Sequence, residues 1–282
     1  MVFPRAVGAL AAALDLVLPQ TCAVCGLTGG PICAPCRQEL SGLALDDLGL
    51  LAPSPVPTCW PGCTGTLRYE GRSAALMKAF KDGGRRDLVD PLGGLLADAA
   101  GRAICLPPFV RTEPVVLVPI PSSPLAIRRR GDRPMLLLAQ RAAAVLGPRV
   151  VTVPVLGMAR GTKDQAGLGR RARQANLQAA MWVTRPAEVR GRQCLLVDDV
   201  LTSGATLGEG RRALLAAGAA GVGMAVCMVT PRRVSECVLP FRSPADYRGV
   251  MGPSSDRLTG THQGPPAFAG GSPRRPHSRD GR

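Results

Sequence analysis

Short apolar runs alternate with longer segments of helical periodicity along the middle of the chain. Runs of successive apolar residues suit strands buried on both faces, and apolar positions three or four residues apart suit helices. This alternation predicts an α/β fold, a parallel sheet flanked by helices and joined by right-handed crossovers. Strands are predicted at residues 64–70, 115–118, 150–153, 181–184, 194–197 and 222–230. Helices are predicted at residues 72–81, 87–105, 135–146 and 205–217.

The two ends of the chain break this alternation, so three parts are predicted. Residues 1–60 are expected to hold a helix, a small cysteine-bearing module and a linker that is rich in Leu, Asp and Pro over 41–58. Residues 61–236 are expected to form the α/β domain. Residues 237–282 are dominated by Pro, Gly, Ser and Arg without periodicity, and they are expected to be disordered.

An apolar run at residues 6–18 resembles the hydrophobic part of a signal peptide. It contains Asp15, however, and no convincing Ala-x-Ala cleavage site follows it. The run is also too short to span a bilayer. A helix that packs on the body of the protein is therefore favoured, and the protein is expected to be cytoplasmic.

Residues 194–206 carry the most specific chemistry of the sequence. The apolar start of this stretch is followed by Asp198 and Asp199, and the ligands of open parallel sheets collect at such strand ends. A loop of small and hydroxylated residues comes next, and a predicted helix follows it. Backbone N–H groups, a helix N-terminus and hydroxyl side chains in such a loop suit a phosphate. The loop consists of Leu201, Thr202, Ser203, Gly204, Ala205 and Thr206.

Two commoner phosphate motifs do not fit this stretch. A Walker loop requires a lysine, which is missing here, and the nearest Gly-x-Gly, Gly208 to Gly210, falls inside the predicted helix. Paired acids before a hydroxyl-rich loop would instead grip the vicinal hydroxyls of a sugar and its phosphate. The stretch resembles the phosphoribosyl-pyrophosphate (PRPP) motif of type I phosphoribosyltransferases. The alternative is an ordinary strand–helix turn with a capping hydroxyl and two solvated acids.

Two Cys-x2-Cys pairs stand seven residues apart near the N-terminus. The turn-forming residues between them, Gly29, Gly30 and Pro31, allow four thiolates to surround one Zn2+ tetrahedrally. Two disulfides are the alternative, but nothing indicates secretion, and in a cytosolic protein this spacing favours a metal. The site is expected to be structural, because four thiolates leave no open position. Its predicted ligands are Cys22, Cys25, Cys33 and Cys36.

The other cysteines give a weaker signal. Cys59 and Cys63 form a Cys-x3-Cys with no second pair in reach, so they could complete a second zinc site only imperfectly, and solitary thiols are favoured. Cys105, Cys194 and Cys227 lie in apolar contexts and are expected to be small core residues.

Charge and histidine content narrow the function. The 282-residue chain has a formal net charge of +15, which points to anionic partners such as phosphates, nucleic acid or acidic membranes. Only three of its 35 basic residues are lysines, and a GC-rich coding bias could supply part of the arginine excess. Both histidines, His262 and His277, lie in the tail. Ser-His and Cys-His mechanisms are therefore excluded, whereas phosphoribosyl transfer relies on Mg2+, cationic groups and positioning.

Taken together, these motifs resemble the ComF family over residues 10–232. These are type I phosphoribosyltransferase-like proteins, many of them linked to DNA uptake in naturally competent bacteria. The resemblance rests on the cysteine pairs, the strand end at 119–123, the arginines at 128–133, Gln165-Ala-Gly-Leu168 followed by Arg173 and Asn176, and the Asp-Asp loop.

The resemblance implies roles for individual residues. Asp198 and Asp199 would hold the ribose hydroxyls, and the loop at 201–206 would hold the 5′-phosphate. The turn at 119–123 and the arginines would face the pyrophosphate with its Mg2+, while the segment 163–176 would close over the reacting centre. The implied residues are Lys81, Pro121, Ser122, Ser123, Arg128, Arg130, Gln165 and Arg173. Alternatively, the arginine cluster and Lys81 form solvated basic surface and Arg173 braces the loop.

Two departures from the family pattern leave details open. Asp132-Arg133-Pro134 stands where a Phe-Asn-Gln-like sequence is usual, and the second cysteine pair of a double zinc ribbon is missing or degraded. The first departure bears on the recognition of pyrophosphate or of the acceptor, and the second on a second zinc.

The first hypothesis is a zinc-containing transferase that moves phosphoribose from PRPP to an unidentified acceptor and releases pyrophosphate, in DNA uptake or nucleotide salvage. The second is a DNA-uptake factor that binds single-stranded DNA and keeps a regulatory or vestigial PRPP pocket. Single-strand platforms need aromatic side chains, which make up 3% of this chain. Trp60 and Tyr69, near the cysteine pairs, are thin support for the second hypothesis.

Overall fold

The computed structural model describes residues 21–45, 50–57, 60–110, 113–122, 127–128, 131–158 and 180–230. The predictions for a helix at 6–18, a closing loop at 163–176 and a disordered tail at 237–282 lie outside these residues. Within the described part, the predicted strands and helices are present, although the strand predicted at 181–184 lies outside the parallel sheet. A helix at Ala34–Ser41 and a strand at Leu156–Met158 were not predicted. The strands are β1 (Thr64–Arg68), β2 (Val115–Pro119), β3 (Val150–Thr152), β4 (Leu156–Met158), β5 (Met181–Val183), β6 (Gln193–Leu201) and β7 (Gly221–Val229). The α-helices are α1 (Ala34–Ser41), α2 (Gly71–Lys81), α3 (Val89–Ile104), α4 (Pro134–Leu146) and α5 (Ala205–Ala216).

Five strands form one parallel sheet in the order β1-β7-β6-β2-β3. Strand β6 is central, and the run of buried residues along it satisfies the expectation for a strand covered on both faces. One face carries Leu195 and Val197, which belong to the apolar core formed with α2, α3 and α4. The other face carries Cys194 and Leu196, which pack in a second core with residues of α5. The predicted α/β sheet flanked by helices is confirmed.

Strand β6 is longer than the sequence predicted. The apolar run ends at Val197, but the strand continues to Leu201 because its last residues still pair with β7. Asp198 is opposite Val226, and Val200 is opposite Met228. The two acids therefore lie near the end of β6 but still within the strand. Pairing with β7 fixes the backbone of this part of the strand.

Short strands β4 and β5 form an antiparallel ribbon outside the main sheet. The ribbon is attached to α5 by a buried acid. The Glu209 carboxylate accepts a hydrogen bond from the Met181 N–H (3.0 Å), and Arg212 donates both to Glu209 and to the Met181 carbonyl. The ribbon is thus held to the helix that follows the Asp-Asp loop.

The segment predicted as a linker packs against the domain wherever it is described. Leu51 and Cys63 exchange backbone hydrogen bonds, and the Leu45 N–H donates to the Thr66 carbonyl (2.9 Å). Leu51 and Ala52 are buried. The linker interpretation is wrong for these residues, because their apolar side chains cover the sheet next to β1.

The N-terminal module docks on the first helix of the domain. Arg72, near the start of α2, forms an ion pair with Glu39 of α1 and donates to the Cys36 Sγ atom (3.4 Å). Arg85, just after α2, donates to the Thr21 carbonyl (2.7 Å). None of the described helices is long and apolar enough to cross a membrane.

Candidate functional site

Two acids stand side by side at the carboxyl end of the central strand. Successive strand residues face opposite sides of a sheet, so Asp198 and Asp199 flank the strand end from both faces. Asp199 is buried, with 6% of its surface exposed, whereas Asp198 is half-buried. The Asp198 Oδ1 atom accepts a hydrogen bond from the Asp199 N–H (2.9 Å), which holds the first carboxylate over the strand end.

The environment of the acids sets their charge. Burial and the neighbouring Asp199 carboxylate raise the pKa of Asp198 to about 8, although Lys81 and the Asp199 N–H oppose this. Lys81 forms an ion pair with Asp199 through its Nζ atom. Near neutral pH, the raised pKa therefore keeps Asp198 largely as a carboxylic acid, while the Lys81 ammonium lies against Asp199. Such a pair is suited to receive the hydroxyl groups or the cation of a ligand.

The structure brings Lys81 directly to the two acids at the end of β6. It is the last residue of α2, and its side chain is 35% exposed while its partner oxygen belongs to a carboxylate with 9% exposure. A solvated surface lysine would not reach a buried acid. The ion pair with Asp199 brings Lys81 to the end of β6, and its role beside the pyrophosphate stays a prediction. Its position at the end of the predicted helix 72–81 was the available signal.

The backbone of the loop after β6 is suited to binding an anion. Thr202 and Ser203 are exposed at its tip, and Gly204, the N-cap residue directly before α5, has a φ of +72°. The first N–H groups of a helix have no acceptor within the helix, so they are available to a phosphate, and the loop hydroxyls lie next to them. The Gly-x-Gly at 208–210 lies inside α5, as the sequence predicted.

Gly204 is required for two independent reasons. Its positive φ disfavours any residue with a side chain. A Cβ atom there would also lie 2.8 Å from Pro53 Cγ and 2.9 Å from the ring of Trp60. Trp60 supports the loop from beneath, and its Nε1–H donates to the Leu51 carbonyl (2.9 Å). The contact between Trp60 and the loop was not predicted, because nothing in the sequence links residue 60 to the loop.

A cleft of about 170 Å3 opens beside the end of β2. Ile120 and Ser122 follow the strand, and Leu156 and Met158 come from the β4–β5 ribbon. The two acids do not line the cleft. The acids and the cleft lie at the carboxyl ends of the neighbouring strands β6 and β2. Its described lining consists of Pro119, Ile120, Pro121, Ser122, Ile127, Arg133, Leu136, Pro154, Leu156 and Met158.

The sequence-predicted site residues divide into three groups. Asp198, Asp199, Lys81 and the loop at 201–206 lie together at the end of β6. Pro121 and Ser122 line the cleft, and Arg128 is exposed next to the lining residue Ile127. The remaining predicted residues, which lie outside the described part of the chain, are Ser123, Arg130, Gln165 and Arg173.

The four predicted metal ligands converge. The Sγ atoms of Cys22, Cys25, Cys33 and Cys36 all lie within 4.8 Å of one another, so they could hold a metal ion such as Zn2+. Burial raises the pKa of Cys22, but N–H groups of Cys33, Cys25 and Val24 outweigh it and lower the pKa to about 6. Positive φ at Gly26, Gly29 and Gly30 forms the turns that bring the pairs together. The donor set fits a tetrahedral thiolate site.

The other described cysteines are not arranged as ligands. Cys63 is buried, its thiol lies 3.4 Å from the Thr64 carbonyl, and burial, together with the nearby Asp198, raises its pKa. Cys194 and Cys227 are core residues, as expected, while Cys105 is only half-buried. Cys59 lies outside the described residues, so its state stays a prediction.

The aromatic residues near the cysteine module do not form a stacking surface. Trp60 is only 8% exposed and supports the Gly204 loop, and Tyr69 is half-buried against the core. The other tryptophan, Trp182, is exposed, but it belongs to the β4–β5 ribbon and packs against Gly157. Trp60 and Tyr69 therefore do not support the hypothesis that single-stranded DNA stacks on aromatic side chains at the module.

Residues 125–238, which are less than half of the chain, match the family model described as the phosphoribosyl transferase domain. The matched part includes the Asp-Asp strand end, the loop and α5. The match and the sheet together identify the fold as type I phosphoribosyltransferase-like, a parallel sheet flanked by helices. A search of curated proteins finds no match to the chain.

Several solved structures resemble this chain at low identity. They include the allosteric regulatory enzyme of purine biosynthesis, at 19% identity and a TM-score of 0.32 over 49% of this chain and 25% of that one. Hypoxanthine phosphoribosyl transferase of Trypanosoma cruzi gives 15% identity and a TM-score of 0.32 over 55% and 70%. Glutamine PRPP amidotransferase from B. subtilis, complexed with ADP and GMP, gives 18% and 0.30 over 56% and 28%. The chain spans about a quarter of the length of the first and third of these proteins.

Proposed function

We propose that the protein binds PRPP with Mg2+ at the carboxyl end of β6 and transfers phosphoribose to an acceptor, with release of pyrophosphate. The observation that carries this proposal is the pair Asp198 and Asp199 directly before a hydroxyl-bearing loop at a helix N-terminus. The two acids suit the hydroxyl groups of a sugar phosphate, and the loop suits its phosphate group. The match of residues 125–238 to the phosphoribosyl transferase domain supports the same function.

The acids are proposed to hold the ribose. Carboxylate oxygens accept hydrogen bonds from vicinal hydroxyl groups, and two adjacent carboxyl groups match two adjacent hydroxyls. Lys81 is proposed to hold the Asp199 side chain in place while the ribose binds, because the two form an ion pair at the end of β6. Since Asp198 has a raised pKa, ligand binding that favours its ionised form should release a proton.

The loop is proposed to hold the 5′-phosphate. Its donors would be the hydroxyls of Thr202, Ser203 and Thr206 and the N–H groups at the start of α5. Gly204 lets the backbone approach the phosphate closely, and Leu201 and Ala205 complete the loop. Rigid support from Trp60 keeps these donors in place before the ligand arrives.

The reaction breaks the bond between C1 of the ribose and the pyrophosphate oxygen, and the electron pair leaves with pyrophosphate. A lone pair of the acceptor forms the new bond to C1, and the proton of the acceptor passes to the medium. When bound with PRPP, Mg2+ would neutralise the pyrophosphate, and carboxylate oxygens are the ligands that Mg2+ prefers. The proposed pyrophosphate and closing-loop residues are Ser122, Ser123, Arg128, Arg130, Gln165 and Arg173, with the turn at Pro121.

The cysteine cluster is proposed to hold one structural Zn2+. Four thiolates would fill its coordination sphere, so this ion would support the module and α2 without touching the substrate. The combination of this cluster with a phosphoribosyltransferase-like domain also supports the proposal that the chain is related to the ComF family.

The test is calorimetric titration of the full chain with PRPP and Mg2+, comparing wild type with Asp198→Asn/Asp199→Asn. The matched control is Asp90→Asn, which removes an exposed acid that pairs with Arg141. We expect binding in wild type and control and none in the double variant. Undiminished binding in the double variant, or none in a folded, zinc-loaded wild type, would overturn the proposal.

A further inference from the structure

We infer that the cleft beside β2 takes a single-ring acceptor that carries an anionic group, and that Arg133 recognises that group. This inference rests on the proposed function, because the cleft would supply the second substrate of the transfer. It goes further in naming the chemical class of that substrate and the residue that selects it.

The walls of the cleft are suited to a ring. Eight of the ten described lining residues are apolar or proline. Six of them come from the end of β2, the start of α4 and the ribbon, and the other two are Ile127 and Pro154. Leu136 lies in the first turn of α4, and Leu156 and Met158 lie in β4. An apolar wall gains free energy from a planar ring and offers nothing to a phosphate group. The cleft therefore differs in kind from the hydroxyl-bearing loop after β6.

Arg133 supplies the only charge in the described lining. Its side chain is exposed and forms no hydrogen bond or ion pair among the described residues. The adjacent acid does not neutralise it, because Asp132 forms its ion pair with Arg86. A guanidinium at the edge of an apolar cleft favours a carboxylate, which it can bind with two parallel hydrogen bonds.

The size of the cleft limits the acceptor to something small. A volume of about 170 Å3 lies below the roughly 300–1,000 Å3 of pockets that hold drug-sized ligands. A single ring with one substituent is therefore favoured over a nucleoside or a polymer. Ser122 is the only other polar side chain in the described lining, so one hydroxyl contact is available for the remaining polar edge of the ring.

The experiment compares ring acids with their uncharged counterparts. Nicotinate and nicotinamide form one pair, and orotate and uracil form a second pair. Each compound is titrated calorimetrically into the full, zinc-loaded chain with Mg2+ and PRPP, and the half-saturating concentration is taken from the heat of binding or turnover. PRPP binding is measured separately for every variant.

We expect at least one acid to be favoured over its uncharged counterpart by about 10-fold in wild type. Arg133→Gln should remove this preference, and Arg133→Lys should keep part of it. Arg133 makes no side-chain cap to α4, so the glutamine variant should fold normally. Arg141→Gln is the matched control, because Arg141 lies in the same helix, pairs with Asp90 and does not line the cleft.

Each other outcome is decisive. Normal PRPP binding with no preference for any acid overturns the inference and leaves the proposed function standing. A preference that survives in Arg133→Gln overturns the role of Arg133. Loss of PRPP affinity in Arg133→Gln, with both members of each pair equal in wild type, assigns Arg133 to pyrophosphate and overturns the inference. Failure of wild type to bind PRPP overturns the proposed function and the inference together.

Discussion

The cysteine cluster and the carboxyl end of β6 both concentrate charge, but they differ in what holds them in shape. The cluster is built on turns, with Ile32 and Leu40 as its large buried apolar side chains. Its four thiolates would repel one another without a cation. The end of β6 instead continues the central strand of the sheet, and its loop rests on Trp60.

The difference separates two ways of building a binding site. A closed ligand set obtains much of its order from the ion that it holds, in addition to backbone hydrogen bonds such as the one from the Cys22 N–H to the Leu27 carbonyl (2.7 Å). An open site obtains its order from the core and keeps unsatisfied groups for a ligand. Helix α2 joins the two regions, since Arg72 contacts the cluster and Lys81 contacts Asp199.

Loss of one cysteine ligand should have the largest effect. We expect Cys36→Ser to abolish stable zinc binding and to unfold the module, because structural zinc sites contribute on the order of 10 kcal/mol to folding in isolated fingers. Zinc content by mass spectrometry and thermal unfolding measure this. Cys105→Ser, a half-buried thiol outside the cluster, should keep both values at the wild-type level. Full zinc content in Cys36→Ser would contradict the closed-site interpretation.

The second prediction concerns Gly204 in the loop of the open site. In Gly204→Ala, the alanine would have to adopt a positive φ, and its Cβ atom would lie too close to Pro53 and Trp60. We therefore expect the free energy of unfolding to fall by about 2–3 kcal/mol. PRPP binding should be lost even where the variant remains folded. Gly208→Ala is the control, because a Cβ there meets no atom within 4 Å, and it should stabilise α5 by about 0.5–1 kcal/mol. Chemical denaturation and calorimetry distinguish the two variants, and equal effects would contradict the assigned role of Gly204.

The parts of the fold that depend on local pattern could be predicted from the sequence. Most of the strands and helices and the cysteine cluster follow from apolar runs and residue spacing, because neighbours along the chain decide them. The short elements α1 and β4 were not predicted. The end of β6 was placed too early because Asp198 and Asp199 interrupt the apolar run. Pairing with β7, which is 20 or more residues away in sequence, carries the strand through those acids.

The contacts that complete the site could not be predicted, because each joins segments that are distant in sequence. Lys81 reaches Asp199 across more than 100 residues, and Trp60 supports Gly204 across a similar separation. The segment at 50–52 looked like a linker because prolines follow it, yet its Leu and Ala side chains cover the sheet. Arg133 was visible only as a departure from the family pattern, and its place in an apolar cleft depends on the ribbon.

The third prediction tests the connection between the two regions. Lys81→Met leaves the Asp199 carboxylate buried without its cation, so we expect the free energy of unfolding at pH 7 to fall by about 1–2 kcal/mol and PRPP affinity to decrease. Lys78→Met removes an exposed lysine from the same helix and should change neither quantity. Urea denaturation and PRPP titration of both variants provide the measurement. Identical behaviour of the two variants would show that Lys81 contributes only surface charge.

The smallest expected effect concerns the pH dependence of stability. The pKa of Asp198 is raised to about 8 by burial and by Asp199, whereas an unfolded aspartate titrates near 4. Between these two pH values the folded state binds the proton more tightly than the unfolded state, so the stability from this group is fully present below about pH 4 and is lost as the pH rises through 8.

Asp198→Asn removes this titration while keeping the Oδ1 acceptor for the Asp199 N–H. The difference in unfolding free energy, variant minus wild type, should therefore increase by about 1 kcal/mol from pH 5 to pH 9, a value reduced because Asp198 is only half-buried. Urea denaturation of both proteins at pH 5, 7 and 9 measures it. A flat difference for Asp198→Asn would mean that the open end of β6 stays hydrated enough to leave Asp198 ionised. The contrast with the closed cysteine cluster would then rest on geometry and not on charge.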